Sequence, residues 1–268
     1  GRPDLTGPLR LQPDTGYDAQ FLYFIAFDPF VRAFADAPER YDPFIDAAPY
    51  RYGRIGFPLL TKAVSFDRGS RYPAVMVWLV VAGVVLASMG VAAIAAHSGR
   101  TPLWGLIVLL VPGFWKSLEF ALPEPIAGAL LIWGLFAMRR RRWVSAGVLL
   151  GLALLVRETG VLLVVMLAIA VCVRGDRRDA GRMLAIALLP LLAWRLYLGT
   201  VLQPAWGVDA FFFDPGIHGV PLKGLIELRH HLTSGEYAMG VGAVATAARW
   251  YAAILVSGAL AAGVLAAA

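Results

Sequence analysis

From Pro73 to Ala96 the chain carries no charged side chain. That run exceeds the ~20 apolar residues a helix needs to cross the hydrocarbon core of a bilayer. It narrows the possible folds more than any other feature, because a helix satisfies its own backbone hydrogen bonds where water is absent. Hydrophobic residues make up 59% of the chain, against roughly 45–50% in soluble domains. Further apolar runs cover 103–115, 125–138, 143–156, 159–173, 183–200 and 246–268. The expectation is an all-α polytopic membrane protein in four parts. Residues 1–72 form a long outer loop with interfacial helices, 73–200 a transmembrane bundle, 201–245 a second outer loop, and 246–268 a truncated membrane helix. Gly1 opens in polar sequence and "GALAAGVLAAA" stops inside an apolar run, so the chain reads as a central piece of a longer protein. The single cysteine, Cys172, sits in apolar sequence and reads as a packing residue.

Basic residues set the expected orientation, since short cytoplasmic loops are enriched in Lys and Arg. Arg139–Arg142 form one cluster, Arg174, Arg177, Arg178 and Arg182 a second, and Arg100 marks a weaker third. Placing all three inside puts 1–72, the 116–124 turn and 201–245 outside. The same rule interprets 143–173, which Arg157 and Glu158 interrupt. One continuous crossing would leave a basic cluster on each side, so a hairpin of two short helices meeting at "RETG", Arg157–Gly160, is expected. Residues 103–138 repeat the pattern, with "KSLEFALPEP", Lys116–Pro125, at the tip. Helices of about 14 residues rise only about 21 Å, short of a roughly 30 Å core. Both tips therefore belong in a protein-lined, watered cleft.

Charged residues near those tips are the candidates for function. A charge at mid-membrane costs about 2.5–3.5 kcal/mol on insertion scales and faces a cavity or a partner. Adjacent residues on a helix do not face each other, so Arg157 and Glu158 each need a separate partner. An ion pair or cap at a hairpin tip is one use for them; an anion site is the other, because Arg grips phosphate bidentately. In "PYRYGRIGFPLL", Pro49–Leu60, Arg51 and Arg54 share a side if helical. Tyr50, Tyr52, Ile55, Leu59 and Leu60 supply an apolar surface suited to the membrane interface, and Pro58 argues against one uninterrupted helix.

In "GYDAQFLYFIAFDPF", Gly16–Phe30, Asp18 opens an apolar run and Asp28-Pro29 closes it. Helix-start and turn chemistry accounts for both acids. A carboxylate set against aromatic surface is also suited to work as a general base. Glu227 and His231 are spaced to ligate a metal if helical, without a third ligand at defined spacing. The sequence requires no cofactor and leaves a divalent metal open, and nothing in it calls for nucleic acid.

The phrases "GYDAQFLYFIAFDPF", "YRYGRIGFPLL" and "LLVRETG" resemble the GT-C superfamily of membrane glycosyltransferases, in particular its uncharacterised bacterial members. The resemblance implies a GT-C-like helix bundle in the bacterial inner membrane, with the active-site side extracytoplasmic and a first membrane helix lying before Gly1. It implies an inverting transfer of a sugar from a polyprenyl-phosphate carrier to an extracytoplasmic acceptor on a glycan, lipid or protein. Partners would be the lipid-linked donor and membrane lipids. Asp18 occupies the place of the family's first-loop acid and would be the base; Arg51, Arg54 and Arg157 would hold the donor phosphate. Tyr17, Asp28, Glu119, Glu124 and Glu158 are the further substrate-binding candidates. Ala19 follows Asp18, so the adjacent pair of acids found in some branches is absent. A lipid or solute transporter is the second reading, since it too needs broken helices and intramembrane charge; a non-catalytic assembly subunit is the third.

Overall fold

The computed structural model describes residues 18–33, 45 and 48–206, all within one compact unit, Gly1–Pro215. Regular structure among the described residues is entirely helical. α1 spans Asp18–Phe27, α2 Ala48–Arg51 and α3 Gly56–Val64, with a 3-10 turn at Tyr52–Arg54 between the last two. The apolar run expected at 73–96 is α4, Tyr72–His97. Beyond it come a 3-10 helix, Pro102–Leu110, then α5, Pro112–Phe120, and α6, Glu124–Arg139. α7 is Trp143–Val156, α8 is Val161–Val173, and α9 is Arg177–Trp206. The stretches Gly69–His97 and Arg177–Pro204 are long and apolar enough to cross a membrane, and the bent pair Pro102–Leu110 and Pro112–Phe120 makes a third if counted as one span.

Local chemistry accounts for the helix ends. α4 stops where Gly99 adopts φ 70° and Arg100 N–H donates to the Ala95 carbonyl, a left-handed cap that glycine adopts without a Cβ clash. α1 ends just before Asp28-Pro29, as the turn chemistry requires. The break near Pro58 falls at Ile55, leaving Pro58 in the first turn of α3, where its missing N–H breaks no helical bond.

Small residues fix how the helices run. Added Cβ atoms on Gly83 and Gly90 of α4 would strike Pro125–Ile126 and Ile132 of α6, so these two helices run in parallel. Gly134 of α6 lies on Leu150 of α7 after a tight turn, so that pair is antiparallel. In "GVLLG", Gly147 meets Met183 and Ile186, and Gly151 meets Ala187, which makes α7 and α9 parallel. Small residues four apart let helices approach closely where dispersion, not water, must hold them. α8 packs on α9 and joins it through the short turn 174–176, so it runs the other way. The chain therefore reverses at Arg157–Gly160. One end of the bundle gathers the starts of α4 and α6, the "RETG" turn, and the α1–α3 layer. The turns at 98–101, 140–142 and 174–176 lie at the other.

Three expectations change. The run 103–115 is not one arm of a helical hairpin: Val111, which precedes Pro112, is extended, and the two helices meet at a 63° bend. Lys116–Phe120 accordingly lies within α5, and the tip shrinks to Ala121–Pro123. The border at residue 200 is absent, because α9 continues to Trp206. In the first polar region, where described, Tyr52 and Ile55, expected on a surface facing the membrane interface, are buried in protein instead. Ile25, Ile45, Tyr52 and Ile55 form a buried core with Leu198 and Leu202 of α9, so the apolar face of 49–60 turns into protein. The 246–268 segment lies outside the described residues. Exposed apolar side chains on the outer faces, including Trp78, Leu103, Leu110, Leu189 and Leu192, suit a lipid surround.

Candidate functional site

Asp18 is the first residue of α1, and Phe21 follows three positions later on the same face. Together they hold Arg51. The Arg51 Nη1 donates to Asp18 Oδ1 at 2.5 Å, and its guanidinium lies 3.8 Å from the centroid of the Phe21 ring. Arg54 arrives from the adjoining 3-10 turn. Its Nη1 donates to Asp18 Oδ2 at 2.6 Å, its Nε to Glu158 Oε1 at 3.1 Å, and its Nη2 to the Tyr50 hydroxyl. Arg54 also stacks on the Tyr50 ring at 4.3 Å. Carboxylates thus sit beside aromatic surface because both grip the same guanidinium groups, one by hydrogen bonds and the other by its π face.

The "RETG" turn supplies the remainder. Arg157 is extended and leaves the helix, so it and Glu158 point to different partners. Glu158 binds Arg54. Arg157 donates to Glu124 Oε1 at the start of α6, and its Nη1 lies 3.6 Å from Asp18 Oδ2. Ser117 Oγ donates to the other Glu124 oxygen at 3.3 Å. Asp18, Glu124 and Glu158 therefore interleave with Arg51, Arg54 and Arg157, and their formal charges cancel.

Burial grades this cluster. The Arg54 and Glu158 side chains retain only 6% and 8% of their exposure, whereas Asp18 keeps 29%. Burial by itself would lower the Arg54 pKa, but Glu158 and, more weakly, Tyr50 and Asp18 raise it overall, so this guanidinium stays cationic. One wall of the site is thus a sealed ion pair, and the other is reachable from solvent.

α9 holds the arginine-bearing segment in place. Arg195 is buried and its Nη1 donates to the Pro49 carbonyl at 2.8 Å, while Trp194 Nε1 donates to the Tyr52 carbonyl at 2.8 Å. Gly53 permits this approach: a Cβ there would lie 2.3 Å from Arg195 Nη2. The sequence reading passes over Arg195. Its signal is plain in retrospect, since it is the sole charged residue between Met183 and Thr200.

Other candidates lie elsewhere. Asp28, at the far end of α1, accepts from the Arg32 backbone N–H at 3.0 Å and serves a turn. Ten residues of helix separate it from Asp18, about 15 Å. Glu119 points outward on α5 and pairs with Lys116 at 2.7 Å, because the helical spacing sets it on the exposed face. Tyr17, Glu227 and His231 lie outside the described residues, and among the described ones no three His, Cys, Asp or Glu side chains gather as a metal site. Comparison with protein-family models, curated proteins and solved structures returns no match to this chain.

Proposed function

We propose that this chain is an inverting glycosyltransferase that moves a sugar from a polyprenyl-phosphate carrier to an acceptor hydroxyl on the extracytoplasmic side of a bacterial inner membrane. The observation that carries this reading is the meeting of Asp18 with Arg51, Arg54 and Arg157 at one end of an apolar helix bundle. A lipid-borne donor reaches that end from the bilayer, and its phosphate has three guanidinium groups to meet.

In the reaction, the acceptor oxygen attacks the anomeric carbon from the face opposite the phosphate. A new carbon–oxygen bond forms as the bond from the anomeric carbon to the phosphate oxygen breaks. The bonding pair leaves with the phosphate, which becomes a monoester with one more negative charge, and the acceptor proton passes to the Asp18 carboxylate. Arginines placed at the phosphate stabilise that developing charge. Glu124, half-buried beside Asp18 through Arg157, is placed to hold a sugar hydroxyl.

The test is transfer from a polyprenyl-phosphate sugar by the full chain in nanodiscs. Asp18→Asn preserves the start of α1, since Asn serves there about as well as Asp, and removes the proton acceptor. Transfer falls by roughly 10²–10⁴-fold. Wild-type turnover in the variant would reduce Asp18 to a latch between α1 and the arginines.

A further inference from the structure

Resting on that reading of the site, we infer that Asp18 is a resident counter-ion that stands where a ligand phosphate binds. A phosphate-bearing ligand takes the Arg51 and Arg54 donors from it, and only then is the carboxylate free to act as a base. The geometry separates a fixed part from an exchangeable one. Arg54 and Glu158 are sealed together in the interior, and nothing arriving from solvent replaces that pair. Asp18 is reachable, sits on the first residue of its helix, and offers two oxygens to two guanidinium groups at 2.5 and 2.6 Å. Two phosphate oxygens present the same paired acceptors to arginine.

Shared donors make the exchange favourable. Asp18 already occupies the Nη1 donors of Arg51 and Arg54, so a phosphate entering with Asp18 in place would set two anions against the same guanidinium groups, even with Arg195 behind them interacting with Glu158 and Arg54. Like charges at that range repel strongly away from bulk water. With Asp18 displaced, the phosphate inherits its partners.

Aromatic platforms make the exchange possible. Arg51 stacks on Phe21 and Arg54 on Tyr50, and neither contact involves the carboxylate. The Arg195 bond to Pro49 and the Trp194 bond to Tyr52 hold the same segment from behind. The guanidinium groups therefore keep their positions when Asp18 leaves. The base is idle until a donor is bound, which gives the reaction an order: donor phosphate first, proton transfer second.

Equilibrium titration of a polyprenyl monophosphate into the full chain in nanodiscs tests this, with thermal unfolding run alongside to confirm folding. Asp18→Asn removes the competing anion and binds the probe about tenfold more tightly than wild type, whereas Asp18→Glu, which keeps the charge, stays near wild type. Unchanged or weaker binding by a folded Asp18→Asn chain overturns the inference and leaves the donor site standing. Inorganic phosphate, titrated in parallel, shows the same ratio; a gain confined to the lipid overturns the exchange at the phosphate. Should Asp18→Asn fail to fold, Asp18→Asn/Arg51→Gln restores the net charge of the wild-type cluster. It binds the probe more tightly than Arg51→Gln alone, and equal affinities overturn the inference. Absence of binding in every folded variant ends both the inference and the donor reading beneath it.

Discussion

At one end of the bundle Arg139–Arg142, Arg174, Arg177, Arg178 and Arg182 all stand exposed. At the other, Arg51 and Arg157 are half-buried, Arg54 is buried, and all three meet carboxylates. The residue type is shared, and what solvates it differs. Water solvates the first group, so its members need only to be numerous and near the helix ends. The second group has lost water, a cost of several kcal/mol per ion unless partners offset it, so each member depends on a particular acid at a particular place. Arg68 and Arg71, exposed in the turn before α4 at the cluster end, belong with the first group, so burial decides whether an arginine acts through its charge in bulk or through its geometry.

The largest expected effect concerns sidedness. In a Cys172→Ala background, Phe66→Cys sits 80% exposed on the turn preceding α4 at the cluster end, and Arg141→Cys sits in the exposed basic turn. A membrane-impermeant maleimide applied to intact cells labels the first, and the second only after the membrane is opened. Labelling of both from outside, or the reverse pattern, breaks the link between the clustered basic turns and the cytoplasmic face.

The next effect is energetic. Arg54→Ala strands Glu158 in the interior, and removing one partner of a buried pair costs about 3–5 kcal/mol. Arg140→Ala removes an exposed charge and changes stability by less than about 0.5 kcal/mol. Unfolding of both variants in detergent checks the difference, and similar losses would erase the distinction between the two ends.

The smallest effect sharpens the point that burial matters more than the end of the bundle. Asp67 lies at the cluster end but is exposed, and hydrogen bonds from Lys62 and Tyr72 lower its pKa from the usual 3.8. A carboxylate depressed in the folded state stabilises the fold above its unfolded pKa, and that contribution fades as pH falls through the lower, folded value. Asp67→Asn should flatten the acid limb of the stability profile below about pH 4 by no more than a few tenths of a kcal/mol, since solvent screens so open a pair. An acid limb as steep as in wild type would remove Asp67 from the balance.

Much of the bundle was legible residue by residue. α7 runs from Trp143 to Val156, the limits of its apolar run, because Arg142 and Arg157 bracket it. The opposed "RETG" turn followed from the basic residues flanking 143–173. The 103–115 run misled because composition conveys apolarity without backbone state, and Pro112 divides it. The 49–60 segment misled for another reason. Tyr52 and Ile55 are as apolar as an interfacial anchor requires, but their partners Leu198 and Leu202 lie far along the chain. No local pattern distinguishes a face turned to lipid from one turned to a distant helix.

The sequence by itself determined where most of the bundle's helices form and which charges crowd the connecting turns. These depend on neighbours within a turn or two: hydrophobic runs, prolines, glycines and clustered arginines act over about 5–11 Å of helix, at about 1.5 Å of rise per residue. Only the tertiary structure decided which charge answers which. Arg54 and Glu158 stand 104 residues apart, and Arg51 and Asp18 stand 33 apart. Such pairs form because close packing along Gly147 and Gly151 brings α7 to α9, and α9 in turn anchors the segment that carries Arg51 and Arg54. A buried ion has few acceptable positions, and the assembled helices set them.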